Sequence, residues 1–338
     1  MKKNSLINIL TAVLFIAGIS YVFFGSNDKR ENLFNLSANA SIMLPKSQNK
    51  FPAEKGSKAV SSVIAEYSEN ISEPSETESP SPNINYTPKA PVLASDSAQK
   101  TEIKNDTDYS VDASVLLSEP VYKKSGDKTV LIMHTHTSES YADSAADSGG
   151  SYRNQNEETN IISVGNVIEQ ILTERGIGVI HDKTYHDYPS YSGAYKRALE
   201  TINKNLAEYP TENFVFDVHR DAMQDESGQY MKTQYIKDGI KSSQALLVVG
   251  TDANGLEHPN WRENLKYALR IQQKMNEKYP GLARPLHLRK ERFNGHACPG
   301  EMIIEVGSNG NTAEESRIAA KYIADCIADV ISEIPENR

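Results

Sequence analysis

The sequence predicts an α/β protein built on a mostly parallel, doubly wound sheet with helices on both faces. Short, unbroken apolar runs read as strands covered on both sides. Each is followed by a stretch whose apolar positions recur near i, i+3, i+4 and i+7, the helical period. Strands alternating with helices make parallel βαβ units. Only the chain from about 120 onward alternates in this way. Of the 338 residues, roughly two hundred therefore form one folded domain, enough for a single core.

The elements follow in order. Residues 1–5 are short and basic, and residues 6–24 ("LINILTAVLFIAGISYVFF") carry no charge. As a helix at ~1.5 Å per residue that stretch reaches ~28 Å, about a hydrocarbon core. A secretory apolar region is shorter and has a small-residue cleavage site close behind it. Here the only A-x-A, Ala38–Ala40, lies far downstream. The reading is an uncleaved transmembrane anchor. Lys2 and Lys3 favour a cytoplasmic N-terminus, nearly balanced by Lys29 and Arg30. Residues 25–115 combine Ser, Pro, Glu, Asn and Lys with few large apolar side chains, so burial cannot repay ordering entropy. They are expected to be a disordered tether that holds a folded domain (120–335) away from the membrane.

"KTVLIM" (128–133) is the first expected strand, and "TNIISVGNVIEQILTERG" the first helix, with Gly176 suited to its C-terminal cap. "IGVIH" is the second strand. "SGAYKRALETINKNLAEYP" is the second helix, stopped by Pro210. "NFVFDVH" (213–219) and "QALLVVG" (244–250) are the next strands. "ENLKYALRIQQKMNEKYP" is a helix, "EMIIEVG" (301–307) a strand, and "TAEESRIAAKYIADCIADVI" the last helix. No glycine-rich phosphate loop appears, since "GSNGN" lacks the Lys-Ser/Thr of a P-loop.

The net charge of −9 argues against broad nucleic-acid binding, which needs a basic face for phosphates. The two cysteines, Cys298 and Cys326, make neither a metal knuckle nor a disulfide scaffold. They read equally as a bridge or as two buried thiols.

In open parallel sheets, function collects beyond the carboxyl ends of the strands. Three of those ends carry the groups a metal hydrolase needs: His134 and His136, His219, and Glu305. If strand geometry persists through Thr135, the two early histidines share a face and address one ion. Histidines brought together from distant strand ends are the usual origin of a catalytic zinc site. Glu305 interrupts an apolar strand, where an unpaired carboxylate is costly, so a proton-carrying role is the better reading. Glu139, Arg220 and Asp221 read equally as supporting groups or as loop and cap residues. His296 is a loop residue able to line the cleft, and His181, His186, His258 and His287 are left out. A non-catalytic wall-binding or scaffold protein would use the same tether and fold without needing all four groups. A phosphoesterase would want a further strand-end aspartate, for which only Asp217 or Asp221 is available.

"VLIMHTHTSESY", "FVFDVHRDA" and "IIEVGSN", in this order with α/β segments between, resemble the stage II sporulation protein P family of endospore-forming bacteria. The similarity covers about 120–335, and an anchor with a tether fits it. That family is similar to the zinc-dependent N-acetylmuramoyl-L-alanine amidases. Their first strand ends in a DPGHGG-like segment, and later strands end in an IHAN-like segment and a catalytic glutamate. His136 falls at the amidase histidine and His134 at the proline, while His219 and Glu305 match the later histidine and the glutamate. The amidases take a further glutamate ligand in an EKDVNL-like segment; here "NEETNII" offers Glu157 or Glu158 with a shorter spacing.

The resemblance thus implies zinc held among His134, His136, His219 and Glu158. It implies Glu305 as the catalytic carboxylate, with Arg220 beside the developing oxyanion. It also implies peptidoglycan as substrate, with amidase action and endopeptidase action on stem-peptide cross-links, in forespore engulfment. The partners it implies are the lytic transglycosylase stage II sporulation protein D and the membrane protein stage II sporulation protein M. The catalytic domain would then lie outside the cytoplasm, between mother cell and forespore.

Overall fold

A computed structural model describes residues 101–336 apart from 128, 145–151 and 212. The expected cytoplasmic stub and anchor, and the tether up to residue 100, lie outside the described residues. Among those described, no helix is long and apolar enough to cross a membrane. The strands are β1 (Ile103–Asn105), β2 (Val130–Met133), β3 (Val179–His181), β4 (Phe214–Asp221), β5 (Tyr235–Lys237), β6 (Ile240–Ser242), β7 (Ala245–Val249), β8 (Leu286–Leu288) and β9 (Glu301–Ser308). The helices are α1 (Ala113–Ser118), α2 (Ile161–Glu174), α3 (Ala194–Glu208), α4 (Trp261–Lys278) and α5 (Ala313–Glu333).

Seven strands form one sheet in the order β1-β8-β7-β9-β4-β2-β3. Its pairings are parallel except for β7 against β9, which is antiparallel. The carboxyl ends of β9, β4 and β2 therefore lie side by side at one edge, while β7 points the other way.

Local chemistry accounts for the helix ends. Asn160 caps α2 by accepting from the Ile162 N–H at 3.0 Å. Gly176 takes the left-handed φ of 78°, and the Ile177 N–H then reaches the Leu172 carbonyl at 3.0 Å, closing the helix as expected. Thr312 and Glu315 make a reciprocal capping box at the start of α5.

Side-chain alternation splits the sheet. Val130, Ile132, Phe214, Phe216, Val218, Met302, Ile304 and Val306 join α2, α4 and α5 in the main core. Leu131, Met133 and Val215 face the other way and pack on Ala198 and Ile202 of α3. Helices cover both faces, but unequally. Cys298 and Cys326 are buried free thiols in these two different clusters.

Several elements differ from the expectation. The expected tether (25–115) runs too far: β1 pairs with β8, and α1 is capped by Asp112, which accepts from Ser114 and Val115. A three-residue edge strand has no apolar run to read and exists only through a partner far along the chain. β8 has no sequence signature for the same reason. β5 and β6 form a separate antiparallel hairpin turned by Asp238 and Gly239, both at positive φ (52° and 80°), a two-residue turn suited to the strand twist.

Candidate active site

β2 stops at Met133 because Asp217, on the neighbouring β4, takes over the chain that follows. Its two carboxylate oxygens accept from the Thr135 N–H at 2.7 Å and the Thr135 hydroxyl at 2.6 Å. Two further bonds close the turn: the Glu139 N–H donates to the His136 carbonyl at 3.0 Å, and the Thr137 hydroxyl donates to the His134 carbonyl at 2.8 Å. The two early histidines consequently part company. His134 keeps the parity of Val130 and Ile132 and points under α2, where a Cβ on Gly165 would come within 2.9 Å of its ring. Its Nδ1 donates to the Val218 carbonyl at 2.8 Å, and its Nε2 lies 2.9 Å from His181 Nε2. The expectation that His134 and His136 share one ion fails here, because strand geometry does not persist through Thr135.

His136 crosses to the α3 side. Its ring lies 5.3 Å from that of His219, nearly perpendicular to it. His219 and Glu305 are register partners on β4 and β9, so one face of the sheet presents His136, His219 and Glu305 together. A bulge between His219 and Asp221 re-aims the chain just past the histidine, a common device beside active sites. Glu139 completes the group. Its Oε2 stands 3.4 Å from His219 Nδ1 and accepts the Arg220 N–H at 3.2 Å. On the other side of the ring, Asp217 Oδ1 is 2.8 Å from His219 Nε2 but is not aligned for a hydrogen bond, leaving Nε2 without one.

Three buried polar atoms here lack any hydrogen-bond partner: His136 Nδ1, His219 Nε2 and Glu305 Oε2. Such atoms cost about 1–3 kcal/mol each if nothing meets them. Two imidazoles with Glu139 and Glu305 form a donor set that suits a zinc ion. Among the described residues no three such side chains already stand in coordinating geometry.

The electrostatics are uneven across the cluster. Burial depresses His136 to about 3, with Glu139 opposing it, so its ring is a neutral donor. Burial also works against the charged form of His219, but Asp217 and Glu139 outweigh it and raise the imidazole well above its usual value. Burial would lift Glu139, yet Arg220 and His219 hold its carboxyl well below the usual range. Glu305 goes the other way, raised first by burial and next by Asp221. As a residue Glu305 is half-buried, so its carboxyl sits between the interior and the opening.

Two other expected site residues fall elsewhere. Glu158, like Glu157, is exposed in the turn before α2, and its carbonyl accepts from Arg317 at 3.0 Å. The shorter spacing to Asn160 ends that turn on the surface, outside the buried group. Arg220 is buried and committed to the fold. Its guanidinium donates to the carbonyls of Ser140 at 3.1 Å and Tyr152 at 3.2 Å and pairs with Glu139 at 3.6 Å. It holds Glu139 in place instead of facing an oxyanion. Asp221 pairs with Arg284 at 2.7 Å. The sequence signal that points to Glu139 is its spacing, three residues after His136, which a turn converts into adjacency.

The family model of stage II sporulation protein P (SpoIIP) matches residues 38–328. The chain belongs to the stage II sporulation protein P family. It is 26% identical over 226 residues to stage II sporulation protein P of Bacillus subtilis (strain 168), covering 63% of this chain and 53% of that protein. The chain thus matches about half the length of this curated SpoIIP relative. Among solved structures it is similar to the N-acetylmuramoyl-L-alanine amidase AmiC2 of Nostoc punctiforme, at 14% identity over 62% of this chain and 97% of that one, with a TM-score of 0.36. An N-acetylmuramoyl-L-alanine amidase from Clostridium difficile 630 is similar at 14% identity over 62% and 96%, with a TM-score of 0.37.

Proposed function

We propose that this SpoIIP-family protein is a zinc-dependent peptidoglycan hydrolase of sporulation. It would cleave the N-acetylmuramoyl-L-alanine amide and also act as an endopeptidase on stem-peptide cross-links. Membership of the family supports the setting. The observation that carries the chemistry is the convergence of His136, Glu139, His219 and Glu305 with three buried polar atoms left unpartnered. The reading includes the membrane anchor at 6–24, a catalytic domain outside the cytoplasm, and work alongside stage II sporulation proteins D and M.

His136, His219 and Glu139 would hold the ion, in place of the sequence-derived set with His134 and Glu158. Bound zinc supplies Lewis acidity, polarising the scissile carbonyl and making water nucleophilic near neutral pH. The protein's own residues do the rest. Arg220 and Arg153 keep Glu139 charged and fixed, at 3.6 and 3.9 Å. Asp217 anchors the turn that carries His136. Glu305 receives the water proton on its unpartnered Oε2 and returns it to the leaving amine.

The test compares the full-length chain with Glu305→Gln on purified sacculi, with released fragments read by mass spectrometry. Glutamine keeps the shape but cannot accept the proton. Hydrolysis should fall by about two to four powers of ten while zinc content and melting temperature stay near wild type. A Glu305→Gln protein that digests sacculi at the wild-type rate removes Glu305 from this role. A wild-type chain that takes up no zinc and releases no fragments supports the scaffold reading instead.

A further inference from the structure

Nothing in the sequence singles out Tyr191, yet the fold builds a fixture to present it. The loop between β3 and α3 is tied to the turn that carries His136. The Thr137 hydroxyl donates to the Thr184 carbonyl at 2.7 Å, and the Ser138 hydroxyl donates to Asp187 at 2.5 Å. At the other end Arg197 of α3 gathers the loop. Its Nε donates to the His186 carbonyl, Nη2 to Ser190 and Nη1 to Ser192, at 2.5, 2.5 and 3.1 Å. Tyr191 is held between these anchors. Its ring lies parallel to the His136 imidazole, 4.5 Å away with 9° between planes, and its hydroxyl is 3.1 Å from His136 Nε2. Arg153 lies over the same ring at 4.5 Å and is itself held by Asp187 at 3.0 Å.

The opposite nitrogen of that imidazole, Nδ1, is the one buried without a partner. A neutral imidazole offers a lone pair from one nitrogen only, and which one is set by the bond the other makes. When the proton sits on Nε2, the Tyr191 oxygen accepts it and Nδ1 is free to bind a cation. When the proton sits on Nδ1, the lone pair faces the tyrosine and the cation position closes. We infer that Tyr191 is a positioning residue that fixes His136 in the tautomer and ring plane presenting Nδ1 to a divalent cation. The inference rests on the proposal above that zinc binds at this cluster. It adds a residue that contacts neither ion nor substrate and acts through His136.

Tyr191→Phe keeps the parallel ring and removes the acceptor. Tyr191→Gln loses the ring but returns an acceptor in its side-chain carbonyl. The full-length chain and both variants are titrated with zinc against a competing chelator. The visible spectrum of the cobalt(II)-loaded proteins serves as a second reading of ligand geometry. Zinc affinity of Tyr191→Phe should fall about 10- to 100-fold, the usual worth of a group orienting a metal-bound histidine, with an altered cobalt spectrum. The metal-free melting temperature should be unchanged. Tyr191→Gln should recover part of the loss. Equal affinity and spectrum for Tyr191→Phe and wild type overturn the inference, as does an equal loss in both variants. A wild-type chain that binds no zinc is a different failure: it overturns the metal reading itself and takes this inference with it.

Discussion

The two faces of the β2–β4–β9 strands are made from alternate residues of the same short segments, yet they do opposite work. On one face Val130, Ile132, Phe214, Phe216, Met302 and Ile304 are each no more than 1% exposed and lie among three helices. Full burial of such side chains is worth about 1.5–3 kcal/mol each. On the other face the same strands carry Asp217, His219, Glu301 and Glu305, with buried atoms that lack partners. One face gains stability, and the other gives it up to hold polar groups where water is scarce. A single sheet can do both because successive side chains point to opposite sides.

The largest effect should come from separating the two histidines that the turn divides. His136→Ala on the polar face should abolish zinc retention and, with it, detectable release of fragments from sacculi. His134→Ala on the apolar face should retain zinc. It should instead destabilise the protein by about 1–3 kcal/mol, because the Val218 carbonyl and His181 lose their partner. Denaturant titration with metal analysis distinguishes the pair. Zinc loss in both variants would mean that the two faces are not independent.

A smaller contrast lies within β9. Ile304→Ala removes a fully buried side chain from the main core and should cost about 2–5 kcal/mol. Ile303 points the other way, into a cluster with Leu246 and Val248, so Ile303→Ala should fall at or below the bottom of that range. Equal losses by denaturant unfolding would show that the second face is packed as tightly as the first.

The smallest effect is a pH dependence at Glu301. Burial, then the Asp217 charge, raises its carboxyl well above the ordinary 4.5. The folded protein therefore holds a proton that the unfolded chain has lost, and stability falls as pH climbs above the unfolded value. Glu301→Gln removes that linkage. The variant should match wild type near pH 4 and become relatively more stable as pH rises toward neutrality. A gap that widened in acid instead would show that Glu301 is ionised in the fold.

Much of this architecture is legible in the amino-acid sequence. The strands β2, β3, β4, β7 and β9 and helices α2 to α5 can be read because their apolar positions repeat with a period and their ends carry caps such as Gly176. Glu305 stands out as an acid breaking an apolar run, and His219 as the polar end of another. β1, α1 and β8 do not, because each is too short to show a period and is made by its neighbours. The antiparallel entry of β7 is hidden as well, since a strand of five apolar residues reads the same in either direction.

The sequence by itself therefore determined which segments are strands and helices, and which of them end in imidazole or carboxylate. Those properties follow from local periodicity and composition. Only the tertiary structure decided that His136, not His134, joins His219 and Glu305. Asp217, on another strand, ends β2 by binding Thr135, and the turn that results sends the two rings to opposite faces. The same turn makes Glu139 a neighbour of His219 and leaves Glu158 in solvent. No local pattern encodes this, because the partner that bends the chain lies some eighty residues away.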